Sequence, residues 1–215
     1  MRRRSGRKRA LGTRMPMVLP QGPNQRWSLD FLSDAFADGR RFRILAIVDD
    51  FTRECLALVP DTSLSGLRVV RELDAVITAR GRPAMCVSDN VTGMAILRWS
   101  QSMQVEWHYI APRKPQQNAF IESFNGRLRD ELLNETIFTS LTHVRTALAI
   151  WKDDYNTVRP HSALGNLPPA VFAELGVPGM QRDGALRYVE GSAPRPVAPP
   201  SQQRSNEART LLIGG

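Results

Sequence analysis

The sequence contains little cysteine and no apolar segment long enough to cross a membrane. Its two cysteines, Cys55 and Cys86, lie in apolar strand-like segments without a neighbouring Cys or His pair, which favours buried, reduced thiols over a metal site or a disulfide framework. The longest apolar run, 44–48, is far shorter than the roughly 20 residues that a membrane helix needs. Pro16 and Pro20 interrupt the apolar residues after the basic N-terminus, so no signal peptide is expected. These absences predict a cytoplasmic protein.

Acidic residues are absent from the first 14 positions, although the whole chain has 21 of them. The same segment holds seven basic residues, which are Arg2, Arg3, Arg4, Arg7, Lys8, Arg9 and Arg14. The rest of the chain has 22 basic and 21 acidic residues, so the net charge of +8 comes almost entirely from this arm. A basic arm is expected to contact nucleic-acid phosphates in a salt-dependent way. A solvated tail without a specific partner is the alternative.

The alternation of apolar and polar residues predicts an α/β domain. Strands are expected at five places, 27–31, 43–48, 55–59, 85–87 and 105–110. Helices are expected at four places, 65–79, 94–103, 118–134 and 141–155. This order favours a five-stranded mixed sheet with helices on both faces. The expected domains are a basic arm or linker at 1–24, this core at 25–175 and a poorly ordered tail at 176–215.

Two of the expected helices have apolar stripes at helical spacing, and the stripe of the third helix should face the core. The stripes are Leu67, Val70, Leu73 and Ile77 in the first helix, and Ile121, Phe124, Leu128 and Leu132 in the third. A second stripe on the third helix consists of Glu122, Asn125, Gly126 and Arg129. That stripe could hold a metal ion through Glu122 and a phosphate through Arg129, or it could be an ordinary solvated helix face.

Three acidic residues are candidates for a shared site. Asp30 lies inside the first strand, where aspartate is disfavoured. Asp89 follows the fourth strand and Glu122 begins the long helix, so a turn cap and a surface acid are the ordinary alternatives for them. If the first and fourth strands are neighbours, the three carboxylates meet at one end of the sheet. Oxygen-only ligands suit Mg²⁺ or Mn²⁺, and two such ions about 3.5–4 Å apart can serve phosphodiester chemistry.

Five motifs follow one another between Trp27 and Glu174. They are Trp27-Ser-Leu-Asp-Phe31, Val48-Asp-Asp-Phe-Thr-Arg53, Val87-Ser-Asp-Asn90, Lys114-Pro-Gln-Gln-Asn-Ala-Phe-Ile-Glu-Ser-Phe-Asn-Gly-Arg-Leu-Arg129 and Tyr155-Asn-Thr-Val-Arg-Pro-His-Ser-Ala-Leu164. In this order and spacing they resemble the insertion-sequence transposases with a retroviral-integrase-like core. The resemblance implies a ribonuclease-H-like fold and metal-dependent DNA cleavage and strand transfer, in which water or a DNA 3′-hydroxyl attacks the scissile phosphate.

The resemblance also implies roles for individual residues. By motif match, Asp30, Asp89 and Glu122 would be catalytic and would bind two Mg²⁺ or Mn²⁺ ions. Contacts with DNA are implied for the matching positions Asn90, Lys114, Gln117, Asn118, Asn125 and Arg129. His161 and Asp50 match as well, and we interpret them as structural, a packed residue at a helix end and a cap of the hairpin turn. The expected partners are DNA and further copies of the chain, with no membrane, no small-molecule substrate and a location on the nucleoid.

Two departures from the family pattern bear on activity. After Asn90 the family usually continues Gly-Thr-Glu, whereas this chain has Val91-Thr-Gly. The segment from Asp89 to Glu122 is about three residues shorter than usual for the family. This shortening could displace a metal ligand, and displacements of about 1 Å near reacting atoms can cost roughly a hundredfold in rate. Valine in place of glycine would be strained if the turn needs a positive φ. The family also usually has an N-terminal helix-turn-helix region, and nothing before Trp27 is expected to form one, so we expect sequence-specific recognition of element ends to be lost.

Three hypotheses follow from the sequence. The first is a transposase catalytic core whose activity is impaired by the shortened turn. The second is a catalytically inactive DNA-binding remnant that interferes with transposition. The third is a nuclease acting on RNA–DNA hybrids, which fits the carboxylates but leaves the segment 114–129 unexplained.

Overall fold

A mixed five-stranded sheet forms the centre of the protein. The computed structural model describes residues 19–89, 91, 93–110 and 119–175. The strands are β1 (Arg26–Ala35), β2 (Arg41–Asp49), β3 (Cys55–Asp61), β4 (Met85–Ser88) and β5 (Glu106–Tyr109). They are ordered β3-β2-β1-β4-β5. The pairs β1–β2 and β2–β3 are antiparallel, whereas β1–β4 and β4–β5 are parallel, which confirms the predicted mixed sheet.

Helices cover both faces of this sheet. They are α1 (Gly66–Arg80), α2 (Met94–Met103), α3 (Ala119–Leu128), α4 (Leu141–Thr157) and α5 (Pro169–Glu174). One apolar cluster joins a sheet face to α1 and α2, and its buried members include Trp27, Leu29, Ile47, Leu73 and Ile96. The cluster on the opposite face includes Leu32, Ala46, Ile121, Phe124 and Leu148 and joins the sheet to α3 and α4. Alternate residues of each strand therefore point to opposite layers, as the period of a β-strand requires. No helix in the described residues is long and apolar enough to span a bilayer.

Helix α1 has the predicted position, and its buried residues coincide only in part with the apolar residues at 67, 70, 73 and 77. Ser65 caps its start by accepting a hydrogen bond from the amide of Arg68 at 3.3 Å. The buried side chains are Val69, Leu73 and Val76. Leu67, one of the apolar residues at helical spacing in this helix, is 71% exposed. Leu73 belongs to two overlapping apolar stripes, one at 67, 70, 73 and 77 and the other at 69, 73 and 76. The sheet packs against the second stripe.

The third predicted helix changes its geometry near its end. Helix α3 stops at Leu128, and a π-helical turn continues over Arg129–Leu133. The amide of Asn134 donates to the carbonyl of Arg129 at 2.9 Å. A π-helical turn holds one more residue than an α-helical turn, so the fully buried position moves from the predicted Leu132 to Leu133. Leu132 is half-buried at the edge of the same cluster.

The β2–β3 hairpin is held by two neighbouring aspartates with different roles. The Oδ1 atom of Asp49 accepts hydrogen bonds from the amides of Phe51 at 2.7 Å and Thr52 at 2.9 Å. These turn-capping bonds are made by Asp49, which corrects the prediction that Asp50 is the cap. Asp50 is buried, pairs with Arg26 and accepts a hydrogen bond from the Ser28 hydroxyl at 2.9 Å. Its role is structural, as predicted, but in the core.

Helix α4 is bonded to the outer strand β3 by two side chains. The amide group of Asn156 accepts from the Cys55 N–H and donates to the Cys55 carbonyl, both at 2.9 Å. The Lys152 ammonium donates to the Leu56 carbonyl at 2.7 Å. These bonds satisfy backbone groups that the sheet itself leaves without a partner strand.

The predicted arm at 1–24 and tail at 176–215 fall almost entirely outside the described residues, so the domain boundaries stay predictions.

Candidate active site

Asp30 lies at the centre of the candidate site, on the sheet face that α3 covers. It is half-buried in β1, next to the buried Leu32 of the same cluster. One carboxylate oxygen accepts a hydrogen bond from the amide of Phe31 at 2.7 Å. The other accepts from the Asn125 side-chain amide of α3, also at 2.7 Å. Two donors thus fix the orientation of a carboxylate that the strand alone would leave without polar neighbours.

The pairing of β4 with β1 brings Asp89 to the same place. The two strands are parallel, with Leu29 opposite Ser88. Because β4 ends at Ser88, Asp89 is the first residue after the strand and lies beside Asp30. The side chains of the two aspartates share a hydrogen bond.

Glu122 comes to this site from the first turn of α3. It is exposed, while its neighbours Ile121 and Phe124 anchor the helix in the core. Asn125, one turn later, is buried and reaches Asp30. The helix therefore carries both a bonded partner of Asp30 and a second acid that acts on Asp30 through its charge.

The electrostatics of Asp30 reflect this crowding. Burial above all raises the pKa of Asp30 from its usual value of 3.8 to about 6, and the charge of Asp89 acts in the same direction. The amide of Phe31 opposes this change, whereas the hydrogen bond with Asp89 and the charge of Glu122 add to it. A divalent cation would relieve such repulsion between carboxylates.

The donor chemistry of these residues fits a hard cation, but the three side chains are not assembled as one ligand group. All three offer carboxylate oxygens, which Mg²⁺ and Mn²⁺ prefer. Across the described ranges, no three His, Cys, Asp or Glu side chains are close enough to hold one metal ion. Asp30 and Asp89 form the close pair, and the exposed Glu122 would have to approach them.

Comparisons with known proteins identify the domain to which these residues belong. Two profiles described as integrase core domain match residues 20–115 and 103–169. An uncharacterized 39.2 kDa protein of insertion element IS476 from Xanthomonas euvesicatoria is 46% identical over 176 residues, which are 80% of this chain and 51% of that protein. An uncharacterized 31.7 kDa protein of insertion element IS407 from Burkholderia multivorans is also 46% identical over 176 residues, 80% of this chain and 64% of that protein. The chain belongs to the family of insertion-sequence transposases with an integrase core. It spans between half and two thirds of the length of these two relatives.

Solved structures of viral integrases share the fold of this transposase core. A chain of the simian T-cell lymphotropic virus intasome in complex with PP2A regulatory subunit B56 gamma aligns with a TM-score of 0.61 at 15% identity, covering 89% of this chain and 65% of that one. The HTLV-2 integrase catalytic core domain in complex with magnesium aligns with a TM-score of 0.56 at 13% identity, covering 70% of this chain and 97% of that one. The predicted ribonuclease-H-like fold is confirmed.

The residues that were predicted to contact DNA are only partly described in this integrase core. Asn125 is buried and its side chain donates a hydrogen bond to Asp30. Arg129 is exposed at the start of the π-helical turn. The other positions lie outside the described residues, and they are Asn90, Lys114, Gln117, Asn118, Arg2, Arg3, Arg4, Arg7, Lys8 and Arg9.

The turn after Asp89 accommodates its valine without the anticipated strain. Val91 is not among the non-glycine residues with a positive φ, whereas Gly93 has a φ of 143°. The Val91 side chain is 1% exposed and belongs to the cluster under α1 and α2. Its carbonyl accepts a hydrogen bond from the Ser88 hydroxyl at 3.4 Å. Valine therefore contributes to the core at this position.

One polar group near the site was not singled out from the sequence. Arg53, in the β2–β3 turn, lies 3.3 Å from the ring centre of Phe120 at the start of α3. Arg26 lies 5.7 Å from the same ring. The sequence offered one signal for this region. The spacing of Phe120, Ser123 and Arg127 places these three residues on one side of a helix.

Proposed function

We propose that this chain performs metal-dependent DNA cleavage and strand transfer, with Asp30, Asp89 and Glu122 as the metal-binding carboxylates. The observation that carries the proposal is that the pairing of β1 with β4 sets Asp89 beside Asp30, while α3, which carries Glu122, contacts Asp30 through the 2.7 Å hydrogen bond of Asn125. Acidic side chains that lie near one another repel, at a cost in free energy that a bound divalent cation would offset. Family membership supports DNA as the substrate class, and the proposal includes association of several copies on DNA and a location on the nucleoid.

The residues of the site have distinct tasks in this proposal. Bound Mg²⁺ or Mn²⁺ would supply activation of the attacking oxygen and stabilisation of the leaving oxygen. Asn125 holds the Asp30 carboxylate in one orientation through its 2.7 Å hydrogen bond. Near neutral pH the Asp30 proton is easily lost, since its pKa is about 6. Arg129 is exposed about two helical turns after Glu122 and would pair with a DNA phosphate.

The second candidate is a folded DNA-binding protein without catalytic activity. The observation in its favour is that no three acidic, His or Cys side chains of the described chain are grouped for a metal ion. In that case Glu122 would stay too far from Asp30 and Asp89 to complete the site. Such a protein would interfere with transposition by occupying DNA or by joining assemblies of active copies.

A joining assay separates these candidates. The chain would be incubated with Mg²⁺ or Mn²⁺ and a branched DNA that mimics a strand-transfer product, which demands chemistry but little sequence recognition. Glu122→Gln removes one charge from the proposed site. Glu135→Gln is the matched control, because Glu135 is also exposed but lies after the π-helical turn. A third variant restores the family's residues in the shortened turn after Asp89.

Each result selects one candidate. Metal-dependent joining by the native chain and Glu135→Gln, with a loss of at least about a hundredfold in Glu122→Gln, would support catalysis at this site. Joining only after the turn is restored would show an inactive protein with an intact fold. Cleavage of RNA–DNA hybrids in place of DNA joining would favour the nuclease hypothesis and contradict the proposal.

A further inference from the structure

Apart from the candidate active site, a pocket lies on a different side of α3 from Glu122. Its volume is about 200 Å³, and it is bounded by the β2–β3 turn, α3, the end of α4 and the segment after it. The polar side chains that line it are Arg53, Ser123, Arg127, Tyr155, His161 and Ser162. No acidic residue is among the described residues that line it. The pocket therefore combines cations and hydroxyl groups without a compensating negative charge.

Arg127 is the charged residue with the largest effect on His161 in this pocket. It is exposed and forms no ion pair with an acid of the described residues. Its charge also lowers the pKa of Arg159, after the larger effect of burial. Arg159 itself is paired with Glu131 and Asp154, so Arg127 remains the cation whose charge an incoming anion would balance.

His161 adds a buried polar atom to the same pocket. The residue is 6% exposed and packs edge-on against Tyr155 with ring centres 4.8 Å apart. Its Nε2 atom is buried without a hydrogen-bond partner in the described structure. Burial first, then the charge of Arg127 and those of Arg159 and Arg53, lower the pKa of His161, while a hydrogen bond to the backbone of Tyr155 opposes this. An unpaired buried ring nitrogen is costly, and an anion would give it a partner once it is protonated.

We propose that this pocket binds a phosphate group, and that the DNA backbone supplies that phosphate. The second half of the proposal rests on the proposed function. The guanidinium of Arg127 can pair with two phosphate oxygens at once, and the hydroxyls of Ser123 and Ser162 can donate to the remaining ones. The site would hold a stretch of DNA backbone at a distance from the reacting phosphate, because it opens on another side of α3.

Inorganic phosphate is the first probe. The imidazole signals of the full chain would be followed by NMR as phosphate is added, with His161 identified by a His161→Asn variant among the three histidines. Arg127→Gln removes the proposed ligand. Arg145→Gln is the matched control, since Arg145 is exposed on α4 outside this pocket and carries the same charge. We expect the His161 signal to move in the native chain and in the control, with at least a tenfold weaker affinity in Arg127→Gln.

DNA is the second probe. Binding of duplex DNA would be measured over a series of salt concentrations, where each phosphate contact contributes about 0.9 to the slope of log K against log salt. Arg127→Gln should lower that slope by about one unit, and Arg145→Gln should not. DNA should also prevent the response of His161 to free phosphate.

The outcomes separate this proposal from the proposed function. No response of His161 to phosphate in the native chain would overturn the phosphate site. A phosphate response that DNA leaves unchanged would overturn the DNA backbone as its source. Failure of the joining assay alone would concern Asp30, Asp89 and Glu122, because phosphate binding is measured without metal or catalysis.

Discussion

The ionised form of Asp30 should destabilise the fold when no cation is bound. Its folded-state pKa of about 6 lies above the usual value of 3.8, so the folded chain holds this proton more tightly than the unfolded chain. The resulting stabilisation is complete below about pH 4 and is lost as the pH rises through about 6. At about 1.4 kcal/mol per pKa unit the change approaches 3 kcal/mol, which solvent near this half-buried group reduces to roughly 1–2 kcal/mol.

Replacing Asp30 by asparagine should therefore stabilise the protein near neutral pH. We expect Asp30→Asn to raise the free energy of unfolding in urea by roughly 1–2 kcal/mol at about pH 7.5, with little change at about pH 4.5. Asp34→Asn is the matched control. Asp34 lies on the same strand and accepts the same local hydrogen bond, from the amide of Ala35 at 2.7 Å. It is four residues along β1, about 13 Å away from Asp30.

The reasoning would be refuted by an equal or lower stability of Asp30→Asn at neutral pH. A gain of the same size at both pH values would point to packing, since only an ionisable group gives the pH dependence. Addition of Mg²⁺ provides a further test, because it should stabilise the native chain and leave Asp30→Asn almost unchanged.

Three other predictions follow from hydrogen bonds and burial. Asn125→Ala removes the donor at 2.7 Å from Asp30 and should weaken Mg²⁺ binding by about 10–100-fold, measured by calorimetry; an unchanged affinity would show that the bond does not orient the carboxylate. Asn156→Ala leaves the Cys55 amide and carbonyl without their partners and should lower the free energy of unfolding by about 1–3 kcal/mol in urea titrations; a neutral effect would mean that water replaces the side chain. Burial raises the pKa of the Cys55 thiol to about 12 and also raises that of Cys86. Iodoacetamide should therefore modify both thiols only on unfolding. Rapid labelling of the native chain would contradict their burial.

The sequence predicted the sheet well because each strand carries its own signal. Apolar runs and the turn at 49–54 define the hairpin of β2 and β3, and the parallel neighbour β4 follows from the intervening helix. The sequence did not show in the same way which face of α1 is buried. Leu67 continues the spacing of Leu73 and Ile77, yet Val69 and Val76 face the sheet. Periodicity identifies a helix, but the packing partner selects between two overlapping stripes.

The candidate site shows a similar division. The convergence of Asp30 and Asp89 follows from strand order, which sequence reasoning can reach. The hydrogen bond from Asn125 to Asp30 depends on the depth at which α3 sits above β1, and no local pattern encodes that distance. The same limit applies to Leu133, because α-helical spacing does not predict a π-helical turn, which changes the residue that faces the core. The cap at Asp49 was missed for a smaller reason, since two adjacent aspartates offer the same chemistry.

The attachment of Asn156 and Lys152 to β3 has a consequence for how copies of the chain can meet. An outer strand with open backbone groups is a template on which another chain can add a strand. Here the amide and carbonyl of Cys55 and the carbonyl of Leu56 are already engaged by α4. If copies of the chain gather on DNA, as the proposed function implies, these contacts would oppose edge-to-edge aggregation along this part of β3, and ordered association would use side-chain surfaces instead.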